Sequence, residues 1–227
     1  SLQVHPDEEY ARKNENDPGK SEMWYVLQAD PGAGFIGGLR EGIDAETFKS
    51  LLKGEAVEKA VHQIPIRKGA AIFIPPGRIH TVAPSCVIAE IQRNSDLTYR
   101  IHDWGRAGTD GKPRQLHLEK ALEVIDFEDR ESPLITPLKE KIGENEIRLL
   151  LAGDYFSVEM LDLKEGYPDQ CRGDRFQVLI GLEGSGSIKT DEGEWTIQPA
   201  EFILLPAYLG SYRIEPEGSL KILKSYP

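Results

Sequence analysis

Apolar residues come in short bursts along this chain, separated by Gly, Pro and charged residues. The bursts over 24–27, 34–39, 70–74, 87–92, 156–161, 176–182, 202–205 and 220–223 have strand length and are bounded by turn-forming residues. Many short strands of this kind predict a sandwich or barrel. Two stretches break the pattern. Asp44 precedes Ala45, Phe48, Leu51 and Leu52, with further apolar residues at Val57, Ala60 and Val61. That spacing predicts an N-capped amphipathic helical insert interrupted near Gly54. A second helical candidate spans 116–124.

Between Asp126 and Ile147 the chain becomes charged and Pro-containing, the chemistry of a linker. The expected division is a domain over 1–125, a linker over 126–147 and a second domain over 148–227. The two halves share a pattern. Gly69 opens GAAIFIPPGRIH and Ala200 opens AEFILLPAYLGS, each with a small residue, an apolar run and then Pro. One β unit is used twice. The second copy has Gly210 and Ser211 near where the first has His80, and the last His of the chain is His117, so only the first copy can carry His-based metal chemistry.

Composition narrows the function classes. At 227 residues, and about 150 residues per domain, there is room for one large domain or two small ones. The formal charge of −11 repels nucleic acid and anionic lipid. With no apolar run of about 20 residues and no leader pattern, neither a membrane span nor a signal peptide is expected, and a cytoplasmic address follows. Cys86 and Cys171 lack CxxC spacing and read as buried thiols.

Candidate chemistry gathers in the first half. Gln3 and His5 alternate with Leu2 and Val4, which puts both polar groups on one face of an extended strand; the same alternation suits any half-exposed strand. Glu22 stands at the start of an apolar strand, where a lone carboxylate is ordinarily solvated. His80 closes G69-x5-P75-x-G77-x2-H80, in which Pro75 and Gly77 supply a turn that presents the imidazole inward. Two imidazoles, a carboxylate and an amide oxygen form a zinc set with positions left for substrate oxygens.

The segments SLQVHP, DPGKSEMWYV, KGAAIFIPPGRIH, EIQRNSDLTYRIHDWGR and RQLHLEKAL, in that order, resemble the type I phosphomannose isomerases in their short bacterial form. The Gly-x5-Pro-x-Gly-x2-His stretch is also the second cupin motif. The resemblance runs from Ser1 to Pro227, with the C-terminal copy matching only as a degenerate cupin. It implies a mainly β fold of two cupin-type β-barrel or jelly-roll units with a small helical insert. It also implies a zinc-dependent interconversion of mannose 6-phosphate and fructose 6-phosphate, a sugar phosphate being the partner. Metal ligands fall on Gln3, His5, Glu22 and His80, the active-site arginine on Arg100, and further pocket positions on Glu90 and Lys20. Members of the family carry a substantial segment before QVHP, so the natural polypeptide is expected to be longer than this chain, which opens at Ser1 without an initiator Met.

Moving a proton between adjacent sugar carbons through an enediol needs a base, an electrophile for the oxygens and an anchor for phosphate. Zinc would act as the Lewis acid. Arg100 would stabilise developing charge or clamp phosphate. Glu90, in the apolar VIAEIQ strand, would have its pKa raised by burial, and an ion pair with Arg100 or Arg93 is the competing reading. Lys20, two residues from Glu22, would reach substrate oxygen or phosphate, unless it is a solvated loop lysine.

Other residues draw no role. His62 is expected to be exposed, His102 to pack against Trp104, and His117 to make a structural hydrogen bond from a helix face. Gly181, Gly184 and Gly186 in GLEGSGSIK lack a following helix and are expected to form a barrel turn. Two rival functions stay open from sequence: a non-catalytic cupin that senses a sugar phosphate or metal, and a metal oxygenase on the same fold. Gln in place of a third His argues against the latter.

Overall fold

The computed structural model describes residues 1–54, 56–82 and 84–227. It resolves into two compact units, Ser1–Leu134 and Ile135–Pro227. The first contains β1 (Leu2–Val4), α1 (Glu8–Glu15), β2 (Glu22–Ala29), β3 (Gly34–Leu39), α2 (Ala45–Lys53), β4 (Val61–Pro65), β5 (Ala71–Ile74), β6 (His80–Val82), β7 (Cys86–Gln92), β8 (Tyr99–His102) and α3 (Leu118–Val124). The strands form a five-stranded sheet in the order β4-β3-β6-β1-β8 and a three-stranded sheet in the order β5-β2-β7. Strand alternation divides the packing. Leu2 and Val4 of β1 join Phe48 of α2, Ala121 of α3 and Ile101 of β8 in one core, while Trp24, Val26, Phe35, Ile72 and Ile74 form another. Full burial of a side chain such as Phe48 contributes about 1.5–3 kcal/mol.

Asp44 caps α2 as its sequence predicts, accepting from the Thr47 backbone N–H at 2.8 Å. The helix expected over 116–124 begins at Leu118, with His117 in the capping position. Helix α1 had no apolar period to announce it, because Ala11 is its one buried residue; Asp7 caps it, accepting from Tyr10 N–H.

The second unit contains β9 (Leu138–Ile142), β10 (Asn145–Ala152), β11 (Ser157–Leu163), β12 (Tyr167–Gln170), β13 (Gln177–Thr190), β14 (Gly193–Ile197), β15 (Phe202–Leu205) and β16 (Ser211–Tyr226). They run in the order β14-β13-β16-β11-β10-β9, with β12 added on β16 and β15 on β13. Three expectations are corrected here. Among the described residues the sheets of both units are open, not closed barrels, because strands such as β4, β9 and β14 end their sheets with a single neighbour. The 126–147 stretch is not a structureless linker. It contains β9 and the start of β10, and its Asp129 is held by Arg78 inside the first unit. Its charges mark an edge strand, exposed at all five β9 residues, where Lys139, Glu140 and Lys141 discourage further pairing. Finally, GLEGSGSIK is the interior of the long strand β13. Gly184, at φ +75°, sits at irregularities in the β13–β16 register, and a Cβ there would fall 2.0 Å from the Ser219 carbonyl oxygen. The glycines bend a strand instead of ending it.

Candidate metal centre

Sheet register explains why distant residues meet. Gln3 lies directly opposite His80 on one side and Arg100 on the other, across β6-β1-β8. Glu22 and Trp24 come from β2 of the three-stranded sheet, and the Glu22 carboxylate reaches His80 Nε2 at 3.7 Å and His5 Nε2 at 3.0 Å. The donor atoms of His5, Glu22 and His80 all lie within 4.8 Å of one another, and the three side chains are fully buried. The Gln3 amide completes the group, its Nε2 standing 3.2 Å from His80 Nε2; turning the amide over would present its oxygen instead.

Both imidazoles are oriented from behind. His5 Nδ1 is 2.8 Å from the Leu97 carbonyl oxygen and His80 Nδ1 is 3.0 Å from that of Arg78. A carbonyl can only accept, so each ring carries its proton on Nδ1 and turns an Nε2 lone pair inward. Burial, with the neighbouring His5, depresses the His80 pKa to about 3, which keeps that ring neutral. Burial works to raise the Glu22 pKa, but His5, His80 and Lys20 outweigh it and hold the carboxyl well below the usual range. Two inward lone pairs and a carboxylate therefore share one buried space. His5 Nε2 makes no hydrogen bond although Glu22 Oε1 stands 3.0 Å away, and Glu22 Oε1 itself faces the Lys20 ammonium at 2.9 Å. An orphaned buried acceptor of this kind is costly, and a divalent cation bound by N and O donors relieves the cost. The residues fit a metal.

Three contacts that hold this arrangement were not read from the sequence. Trp24 donates Nε1–H to Glu22 Oε2 at 3.0 Å; being two residues on, it shares the face of β2 with Glu22, and that spacing was the available signal. Arg78 grips Asp129 through two bonds of 2.6 and 2.7 Å and donates to the Phe73 and Glu131 carbonyls, fixing the loop that ends in His80. Gly77, at φ +83°, donates its N–H to the His5 carbonyl at 2.9 Å, tying the His80 turn to β1.

The other proposed site residues lie around this group. Lys20 is buried, with Nζ 2.9 Å from Glu22 Oε1. Glu90 pairs in register with Trp24 on edge strand β7. It is solvent-exposed, contrary to the expectation of burial, because β7 has no outer neighbour. Protein on its inner side nevertheless desolvates the carboxyl, and with the Glu22 charge pushes its pKa up to about 7. Arg100 is half-buried; it donates to the Gln115 carbonyl at 2.9 Å, and its Nε is buried without a partner. Of the residues set aside, His62 is exposed, His102 meets Trp104 edge-on at 5.2 Å, and His117 accepts from the Arg100 backbone N–H at 3.2 Å. Its place is the helix cap rather than a helix face. Among the described residues no helix is long and apolar enough to cross a membrane.

The family model for the cupin domain of mannose-6-phosphate isomerase matches residues 146–227. GmuF of Bacillus subtilis, named a probable mannose-6-phosphate isomerase, is 33% identical over 233 residues, covering 100% of this chain and 71% of its own length. Mannose-6-phosphate isomerase ManA of the same organism is 31% identical over 221 residues, covering 95% and 68%. The crystal structure of a Bacillus subtilis mannose 6-phosphate isomerase superposes with a TM-score of 0.90 at 27% identity, over 99% of this chain and 70% of that one. The similarity extends across both β units and well past the metal-donor segments, and on that breadth the chain belongs to the mannose-6-phosphate isomerase family.

Proposed function

We propose that the first unit binds zinc through Gln3, His5, Glu22 and His80 and interconverts mannose 6-phosphate and fructose 6-phosphate through an enediol. The observation that carries this reading is the pair of imidazoles whose Nδ1 protons are committed to backbone carbonyls, leaving two Nε2 lone pairs aimed at an ionised, buried carboxylate. Bound zinc would supply Lewis-acid polarisation of the substrate carbonyl and hydroxyl oxygens.

The chain's own residues do the rest. Glu90, with a pKa near 7, takes the proton from C2 of the open aldose. The C–H electron pair then becomes the C1–C2 double bond as the C1 carbonyl oxygen takes up a proton from water, giving the enediol. Glu90 returns its proton to C1 as the O2 hydroxyl gives up its own to water and its O–H electron pair restores a carbonyl at C2, so the ketose forms with no net gain or loss of protons. Arg100, with an unpaired Nε, holds a negatively charged group of the substrate. Lys20 stabilises the Glu22 carboxylate and presents its ammonium to a substrate oxygen. The exposed position of Glu90 supports its role, since a base must be reachable by substrate. Metal analysis beside a coupled isomerase assay tests the catalytic reading: turnover that needs zinc is expected, and full turnover in zinc-free protein would refute the metal assignment.

A further inference from the structure

The pairing registers of the two units can be laid side by side. In the first, Glu22 pairs with Ile74, the residue before Pro75; in the second, Gln177 pairs with Leu205, the residue before Pro206. Gln177 thus occupies the position of Glu22. Two residues earlier, Arg175 stands where Lys20 does. Two residues later, Leu179 pairs with Lys224 as Trp24 pairs with Glu90, so Lys224 takes the place of Glu90. Gln3 pairs with His80, five residues after Pro75, and Gln170 pairs with Ser211, five residues after Pro206. Arg172 then follows Gln170 at the spacing by which His5 follows Gln3. His5, Glu22 and His80 are replaced by Arg172, Gln177 and Ser211, which carry N–H or O–H, while Gln3 has its glutamine counterpart in Gln170.

These replacements surround a space. Gln170, Arg172, Arg175, Gln177 and Lys224 line a cavity of about 400 Å³, within the size range of small-molecule sites. Its floor is built with care for charge. Lys224 is 6% exposed and lies 2.7 Å from both Asp169 and Glu159. The single hydroxyl proton of Tyr212 is shared between Asp169, 2.8 Å away, and the amide oxygen of Gln177. Burying such a network costs several kcal/mol per ion against an apolar filling, so stability alone does not account for it. At the mouth, Arg175 is paired with Asp174, whereas Arg172 has no ion-pair partner among the described residues. A guanidinium left free beside a second one suits the oxygens of a phosphate monoester. The carboxylates and amides deeper in the cavity suit hydroxyl groups.

We propose that this cavity is a second, metal-free site that binds a sugar phosphate, with the phosphate on Arg172 and Arg175 and the hydroxyls toward Asp169, Gln170 and Gln177. Equilibrium dialysis of the metal-loaded full chain against radiolabelled mannose 6-phosphate tests it beside the double variant Arg172→Ala/Arg175→Ala. Both positions are solvent-exposed, and the single variant Arg172→Ala breaks no ion pair, so the fold is expected to persist with an unchanged thermal midpoint. The wild type is expected to bind one more equivalent per chain than the double variant, with isomerase kcat the same in both, and the single variant is expected to bind that equivalent more weakly. Labelled inorganic phosphate or mannose is expected to bind the same site about tenfold more weakly or less. Equal stoichiometry in wild type and double variant would overturn the proposal, as would inorganic phosphate binding as tightly as the sugar phosphate. A chain that fails to isomerise yet keeps the one-equivalent difference would refute the catalytic reading and leave this site standing; the opposite pattern would do the reverse.

Discussion

The first unit places His5, Glu22, Lys20 and His80 where the second places Arg172, Gln177, Arg175 and Ser211, on strands paired in matching registers. The difference teaches that strand pairing decides where a side chain projects, while residue identity decides what it attracts. In the first unit the inward atoms of His5, Glu22 and His80 can all act as acceptors and lie within 4.8 Å of one another, and that gathering calls for a cation. In the second the matching positions carry N–H and O–H donors, with Asp169 and Glu159 spent on Lys224, and the guest proposed for them is rich in oxygen and negative charge. One backbone thus serves two opposite electrostatic purposes, and the carboxylate-for-amide exchange at Glu22 and Gln177 is the sharpest instance.

Substitutions at paired positions break this contrast most directly. His80→Ala is expected to abolish bound zinc and turnover together, while Ser211→Ala at the matching position leaves both intact; metal analysis and a coupled assay on the two variants check it. Arg100→Ala is expected to leave zinc in place and to lower kcat/KM by about 10²–10³, the loss typical of a removed transition-state donor. Equal metal loss in His80→Ala and Arg100→Ala would refute that division of labour.

Support for the His80 loop gives the next effect. Asp129→Asn leaves the buried Arg78 guanidinium without its anion and is expected to cost about 3 kcal/mol, read from denaturant unfolding. Burial works to raise the Asp129 pKa, but Arg78 outweighs it and lowers the carboxyl below its ordinary value. A depressed folded-state pKa stabilises above the unfolded pKa of about 3.9 and is lost as pH falls through the folded value. The wild type and Asp129→Asn should therefore differ at pH 7 and converge in strong acid; a constant gap would contradict the ion-pair account. Smallest, Gly77→Ala forces a side chain to φ +83° and sets its Cβ 3.0 Å from the Asp126 Cβ, at a cost of about 1–3 kcal/mol. Thermal unfolding with zinc titration is expected to show a lower midpoint and weaker metal binding.

Much of this was legible in the sequence, for identifiable reasons. Strands β3 and β15 coincide with their apolar runs because one face of each repeats regularly. That His5, Glu22 and His80 would come together was legible, His80 through the spacing of its motif and the others through the family resemblance. Helix α1 was not, since a helix with one buried residue leaves no period; only the Asp7 cap and the acidic start of Glu8 and Glu9 marked it. β9 read as linker because an edge strand exposed on both faces shows no alternation. The glycines of β13 read as a turn because a bulge and a turn use the same residue. Within the site, the Leu97 and Arg78 carbonyls that orient the imidazoles belong to the backbone and carry no residue signature. The correspondence of Glu90 with Lys224 depends on register, which a one-dimensional pattern does not contain.

X-ray absorption at the zinc edge, on the metal-loaded full chain, tests the metal centre most directly. The expected spectrum has imidazole nitrogens at about 2.0–2.1 Å with oxygen neighbours and no sulfur, and the imidazole contribution disappears in His80→Ala. A shell of oxygens alone, or one containing sulfur from Cys86 or Cys171, would contradict it.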